Sequence, residues 1–317
     1  MSVKNYQESL RQLSLKESYS KMDLLTEDFL YAKDGKIEVY WAPFDFINKK
    51  AKVIIVGITP GFTQMELAFN YVRHHINEKD YEQVISDAKN QASFGGNVMR
   101  RNLIDMLDGI GLQELLNIQS CEQLFNKHHD LLHTTSVLRY PVFIEGENYG
   151  GSNPKILSND IFLRMIDELL VPELNSLKNA VIIPTGKAVS NVLRALVNQG
   201  KIHNENILFN FPHPSGANGH RKEQYETNKD LFKEQLAKLA KSDVFTPSPT
   251  YFRPKEQESG EMAELIKQLK IIGEELKRSN DLKERDSYNE KRQHQIADEI
   301  EPYDHRIALV IDHLLGK

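Results

Sequence analysis

The sequence predicts an α/β fold, because short apolar runs of strand character recur along the chain and stretches with helical apolar spacing separate them. The composition agrees: 40% hydrophobic and 27% charged residues are the proportions of a globular domain rather than of a disordered chain. Ile37-Glu38-Val39-Tyr40-Trp41 reads as a short β segment, and Lys52-Val53-Ile54-Ile55-Val56 as a buried strand ending in Gly57. Thr134-Thr135-Ser136-Val137-Leu138, Ala180-Val181-Ile182-Ile183-Pro184 and Ile207-Leu208-Phe209-Asn210-Phe211 are three further strand candidates. Leu103, Met106, Leu107 and Ile110 follow helical spacing and stop at Gly111, as Ile161, Met165, Ile166 and Leu169 do before Pro172. Another helix opens at Thr185-Gly186-Lys187-Ala188, with Val189, Val192, Leu193 and Leu196 as its apolar stripe.

At 317 residues the chain is long enough for one large domain or a domain with an appendage. Residues 1–245 form the expected main domain, with its core over about 35–240. Residues 246–254 read as a proline-rich linker, since prolines fix φ and remove donors. Residues 255–317 read as a helical appendage that packs on the body or on another subunit; Met262, Leu265, Ile266, Leu269 and Ile272 make one amphipathic stripe and Ile307, Val310, Ile311 and Leu314 another. No apolar run approaches the roughly 18–20 residues of a membrane span, and the first residues lack an apolar signal core, so a cytoplasmic protein without a membrane partner is expected. The single cysteine, Cys121, excludes an internal disulfide, a cysteine-ligated iron–sulfur cluster and a CxxC zinc site. Net charge is −5, of which −4 falls on residues 254–317 with 11 Lys+Arg against 15 Asp+Glu. The main body is therefore near neutral, which permits a local basic face.

Two segments carry the chemistry. Val56-Gly57-Ile58-Thr59-Pro60-Gly61-Phe62 leaves a buried strand, and glycines flanking a proline-fixed turn there let backbone approach a ligand at the carboxyl edge of an α/β sheet. It is neither a Walker loop nor GxGxxG, and Gly186-Lys187 lacks the upstream glycine of a P-loop, which argues against nucleotide hydrolysis. In Asn210-Phe211-Pro212-His213-Pro214-Ser215-Gly216-Ala217-Asn218-Gly219-His220-Arg221, two prolines bracket His213 and leave its backbone little freedom. An imidazole held that way suits fixed hydrogen-bond donation to developing negative charge.

GITPG after the first main strand and HPSGAN after the last together resemble the paired signatures of the uracil-DNA glycosylase superfamily. Thr135-Ser136-Val137-Leu138-Arg139-Tyr140-Pro141 is similar to that family's middle strand and loop, and Ile182-Ile183-Pro184-Thr185-Gly186-Lys187-Ala188 to its strand–glycine–helix step. The resemblance covers roughly residues 35–240 and implies a three-layer α/β/α fold with a short, mainly parallel central sheet. It implies DNA, single- or double-stranded, as partner, with the target nucleotide flipped into a pocket formed by these loops, and no cofactor or metal. It places His213 as the donor to the departing base and Thr59 where the attacking water is positioned. Gly57, Ile58, Pro60, Phe62, Ser136 and Asn148 would form the base pocket, with Phe62 or Phe94 stacking on the base. Ser215 and Gly216 would hold phosphate and Gly61 would also contact DNA, while Ala217, Asn218, His220 and Arg221 would probe the minor groove and fill the gap left by the flipped base.

Two positions depart from the family pattern. Thr59 stands where many members carry Asp or Asn, and a hydroxyl orients water without acting as a general base near neutral pH. Either Thr59 with backbone carbonyls suffices or a carboxylate from elsewhere serves, Glu145 and Glu147 being the candidates. Ser136 stands where an Asn commonly reads uracil, with His133 available in a slipped register; a larger pyrimidine with a substituent fits the space, and Asn148 and Tyr149 could contact it. The leading reading is a monofunctional glycosylase that removes uracil or a modified pyrimidine, in base-excision repair or in defence against phage DNA with unusual bases. The alternative is a catalytically silent reader of damaged or modified bases. A metal hydrolase ranks third, since His74-His75 and His128-His129 lack a spaced carboxylate or cysteine partner.

Overall fold

A computed structural model of the protein describes residues 6–94, 97–177 and 179–241. The linker and helical appendage expected beyond residue 245 lie outside the described residues. Within them are two sheets. Leu30–Asp34 (β1), Ile37–Tyr40 (β2), Val142–Ile144 (β5) and Glu147–Asn148 (β6) form an antiparallel sheet in the order β1-β2-β5-β6. Val53–Gly57 (β3), Leu132–Ser136 (β4) and Val181–Pro184 (β7) form a parallel sheet in the order β4-β3-β7.

The central strand β3 of the parallel sheet is apolar on both faces because helices cover both, which explains the continuous run Val53-Ile54-Ile55-Val56. Successive side chains point to opposite sides. Ile54, Val56 and Ile182 enter a core shared with Met65 and Phe69 of helix Phe62–His75, Val84 of helix Tyr81–Ala92 and Val192 of helix Lys187–Asn198. Val53, Ile55, Val181 and Ile183 enter a second core with Leu103 of helix Asn97–Gly109 and Phe232 of helix Arg221–Ala240. This is the three-layer α/β/α arrangement. The antiparallel sheet adds Val39, Val142 and Phe143 to the first core. Among the described residues, no helix is long and apolar enough to cross a membrane.

Three elements differ from the sequence reading, the first being the middle strand, expected at 134–138 and found two residues earlier at Leu132–Ser136. The run expected as a strand at 207–211 pairs through a single parallel bridge, Ile207 with Ile182, and Asn210 then takes a left-handed φ of +69° that ends any extension. The helix expected to stop before Pro172 continues past it: Asp160–Met165 runs through a π-helical turn, Ile166–Leu170, into Val171–Ser176. Pro172 falls just after the π-helical turn, where the i→i−4 ladder is already interrupted.

What matters for function is the register. Gly57 lies opposite Ser136 and Val56 opposite both Thr135 and Pro184, so all three parallel strands end at the same level. The loops leaving them meet at one edge. They are tied there by the Val56 carbonyl, which accepts from the backbone N–H and the hydroxyl of buried Thr185, both at 2.9 Å. The Gly57 and Ile58 carbonyls take the N–H groups of Val137 and Leu138 at 2.8 and 2.9 Å.

Candidate active site

A cavity of about 670 Å³ opens at this edge. Gly57, Ile58, Thr59 and Pro60 contribute to its wall from the first loop, Ser136 and Arg139 from the second, Thr185 from the third, and His213, Ser215, Ala217 and Asn218 from the fourth. Gly57 keeps this approach close: a Cβ there would lie 3.3 Å from Ser136 Oγ, so a side chain would require Ser136 to give way by a few tenths of an ångström.

His213 is held by its own loop. The Ser215 backbone N–H donates to Nδ1 at 3.2 Å, so that nitrogen is an acceptor and the ring proton of the neutral imidazole resides on Nε2. Asn218 Nδ2 donates to the His213 carbonyl at 3.2 Å, Asn102 Nδ2 to the Pro214 carbonyl at 2.8 Å and Arg221 to the Ser215 carbonyl at 2.9 Å. Behind the ring, Gly186 adopts a φ of +94°, and a Cβ on it would sit 3.2 Å from His213 Cβ, so glycine answers both the backbone and the close approach. Burial lowers the imidazole pKa and favours the neutral form. The site therefore offers a preset N–H donor.

Thr59 Oγ1 donates to the Tyr140 carbonyl at 3.0 Å. With its proton committed, the oxygen retains its lone pairs, which can accept from a water but cannot take its proton near neutral pH. The carboxylates that sequence reasoning offered instead are elsewhere: Glu145 pairs with Lys36 at 2.5 Å and Glu147 with Lys21 at 3.3 Å on the surface. Among the described residues, no Asp or Glu lines the cavity.

Cations do line it. Lys89 projects from helix Tyr81–Ala92 and is 5% exposed; its Nζ donates to the Phe46 carbonyl at 2.7 Å and lies 3.7 Å from Glu173 Oε1. Arg139 reaches Glu173 Oε2 at 2.9 Å and the Leu169 carbonyl at 3.0 Å. Glu173, 1% exposed, also accepts from His133 Nε2 at 2.7 Å and Thr135 Oγ1 at 3.0 Å. The Asn48 N–H donates to His133 Nδ1 at 3.3 Å, so His133 is a neutral donor to the carboxylate. Burial, followed by the charge of Lys89, pushes its pKa down to about 4. Glu173 is held ionised against its burial by His133, Lys89 and Arg139, and its pKa lies well below the usual carboxylate range. Burial lowers Lys89 to about 8, with Glu173 opposing.

Of the remaining expected residues, Phe94 and Tyr149 line the cavity, while Phe62, Asn148, Gly61, Gly216, His220 and Arg221 are not part of its wall. Phe62 starts its helix and packs on the first core, and the aromatics that line the cavity are Phe44, Phe94 and Tyr149. Phe94 takes a left-handed φ of +49°, next to a Ser93 carbonyl that accepts from Arg100 at 2.8 Å; a non-glycine residue held there is strained. Asn148 Oδ1 caps the Phe62 N–H at 2.8 Å, and the Gly61 N–H donates to Gln64 at 3.1 Å, so both brace the first loop. Gly216 and His220 are exposed beside the mouth, where Val98, 63% exposed, approaches Gly216. His133 faces Glu173 and does not line the cavity, whereas Ser136 does. His74, His75 and His129 bond the backbone carbonyls of Asn70, Tyr71 and Asn126. Among the described residues, no three His, Cys, Asp or Glu side chains gather as a metal-binding group.

Sequence reasoning missed Lys89 and Glu173, although both carry a legible signal. Lys89 falls on the buried face with Ile85, Ala88 and Ala92, and Glu173 on that of Leu170, Leu174 and Leu177. A charge at helical spacing within an apolar stripe marks a buried pair.

The family model described as the uracil DNA glycosylase superfamily matches residues 44–240, and the chain belongs to that superfamily. It is 41% identical over 229 residues to the uncharacterized protein YoxB of Bacillus subtilis (strain 168), covering 71% of this chain and 89% of that protein. No solved structure matches the chain.

Glu173→Ala is expected to destabilise the domain by about 3–5 kcal/mol, because it strands buried cations, and urea unfolding measures this. The acid side has a definite sign. His133 and Glu173 both have folded pKa values below their unfolded ones, so the unfolded state binds more protons as pH falls from about 6.5 through 4. Stability present at pH 7 is therefore lost over that window, and the melting temperature is expected to fall by several degrees between pH 7 and pH 5.

Proposed function

We propose that the protein is a monofunctional DNA glycosylase acting on a flipped pyrimidine, uracil or a modified one, and leaving an abasic site. The observation that supports this most directly is His213, a neutral imidazole whose Nε2–H is fixed at the cavity wall by the Ser215 amide. In the reaction the bond between the base nitrogen and sugar C1′ breaks, and its electron pair leaves with the base. Water adds to the oxocarbenium-like C1′, and the proton it releases passes to solvent or to the base.

The cavity wall suits departure of an anion better than activation of water. It carries a donor at His213 and the cations Lys89 and Arg139, while Glu173, the carboxylate that pairs with both cations, is buried and does not line the wall. Preorganised donors that meet charge as it develops are the largest single contribution in many enzymes. Thr59, by accepting from water, orients the nucleophile without deprotonating it, and a sugar cation demands no stronger base. Phe94, Phe44 or Tyr149 supplies a stacking face for the extruded base.

The gap left in the duplex needs an apolar wedge, and the loop Ala217–Arg221 has no large apolar side chain. Val98, exposed beside Gly216 at the cavity mouth, fits that role. A silent reader has one observation in its favour, the absence of a lining carboxylate among the described residues. Repair and defence against phage DNA with unusual bases are the two settings that fit the activity.

The test is alkaline cleavage at abasic sites after incubation with single- and double-stranded DNAs carrying uracil, thymine opposite guanine, hypoxanthine, hydroxymethylcytosine or glucosylated hydroxymethylcytosine. Release confined to a pyrimidine and reduced about 10²–10³-fold in His213→Ala is expected. Tight binding with no release from any DNA would favour the reader. Val98→Ser is expected to slow excision from duplex about tenfold more than from single strands, since burying a valine is worth about 1.5 kcal/mol.

A further inference from the structure

Asparagine is disfavoured inside helices, because its amide competes for backbone groups, so a half-buried Asn within a helix calls for a tertiary partner. Asn102, in helix Asn97–Gly109, has one: its Nδ2 donates to the Pro214 carbonyl at 2.8 Å, across 112 residues of chain. Val98 stands four residues earlier on the same helix face, and a Cβ on Gly216 would lie 3.3 Å from its Cγ1. That helix face therefore runs along residues 214–216 of the histidine loop.

What the Asn102 bond fixes is a peptide plane. The Pro214 carbonyl and the Ser215 N–H belong to one planar trans peptide unit, so they point in opposite directions and turn together. One end accepts from Asn102, and the other donates to His213 Nδ1 at 3.2 Å. Pro214 has no N–H, so that of Ser215 is the first main-chain donor after the imidazole. The other bonds of this segment come from the loop itself and the start of the helix after it. Asn218 donates to the His213 carbonyl through Nδ2 and to the Ser215 carbonyl through its own N–H at 3.1 Å, and Arg221 donates to the Ser215 carbonyl as well. Those donors move with the loop, whereas Asn102 is anchored on a helix whose Leu103, Met106 and Leu107 are buried in the second core. An amide bonded at both ends is also polarised, which strengthens its N–H as a donor.

We infer that Asn102 is a positioning residue, which sets the tautomer of His213 through the Pro214–Ser215 peptide. Its part in base release rests on the glycosylase reading above, while its effect on the ring does not. Without Asn102 the peptide turns more freely and the Ser215 N–H spends less time on Nδ1. The ring proton then divides between the two nitrogens instead of staying on Nε2.

The experiment compares the full-length protein with Asn102→Leu, close in shape but without a donor, and with Asn102→Ala as a second variant, melting curves confirming that each folds. Nitrogen-15 shifts of the His213 ring are read without DNA. The unmutated protein is expected to hold the Nε2–H form, and in both variants the two nitrogen shifts are expected to move toward each other as the tautomers mix. Base release is then followed on a single strand carrying the pyrimidine that the unmutated protein excises. Asn102→Leu is expected to lower kcat about tenfold, the scale of one hydrogen bond, with KM changed by less than about twofold. In a His213→Ala background the same substitution is expected to change kcat by less than about twofold, since its effect passes through the ring. Unmoved shifts in the folded variants, an undiminished loss in the His213→Ala background, or an Nδ1–H ring in the unmutated protein overturns the positioning role. Shifts that move in a protein that releases no base would defeat the glycosylase reading and keep that role, whereas release with unmoved shifts would do the reverse.

Discussion

The carboxylate of Glu173 is the interaction on which the character of the cavity depends. One buried anion engages His133 and Thr135 from β4, Arg139 from the loop after it, and Lys89 from a helix on the first core. A charge that deep is tolerable only because each oxygen has a short partner. In return it allows two cations to stand at the wall of an otherwise largely apolar cavity. Without the anion, Lys89 and Arg139 would repel each other, and Lys89 would shed its proton.

This arrangement separates two roles that a single carboxylate in the cavity would combine. Negative charge is kept behind the wall, where it orients cations, and only neutral or positive groups face the bound group. The cavity therefore favours a reaction in which negative charge appears on the departing fragment. In the proposed reaction His213 would meet that charge with a donor whose tautomer is set by the main chain, so no reorganisation would be needed when the bond breaks. Thr59, bonded to Tyr140 rather than poised as a base, is consistent with chemistry driven by the leaving group.

Much of the fold was legible because β3 and β7 leave unbroken apolar runs, and the strand at 53–57 and the helix after Gly186 stand where periodicity puts them. The edge segment 207–211 was over-read as a strand: its apolar residues are there to be buried, and only Ile207 pairs. The glycine and proline motifs located His213, Thr59 and Ser136 at the cavity, since such motifs encode backbone geometry that is local in sequence. Phe62 and Asn148 were read as base contacts, and the structure packs Phe62 on the first core while Asn148 caps its N–H, because motif spacing fixes neighbourhood but not side-chain direction. Lys89, Thr135 and Glu173 were invisible as a group. Their association is tertiary, joining helix and strand positions far apart in the chain, and only a charge on each helix's apolar stripe announces it.

The central claim is that His213 is a neutral donor fixed through Nε2. Nitrogen-15 NMR of the imidazole rings of the free protein tests it most directly, with His213→Gln identifying the resonance. The account requires a neutral ring at pH 7 with the proton on Nε2, titrating below the ordinary histidine range as burial dictates. A ring protonated at pH 7, or a neutral ring carrying its proton on Nδ1, would contradict it.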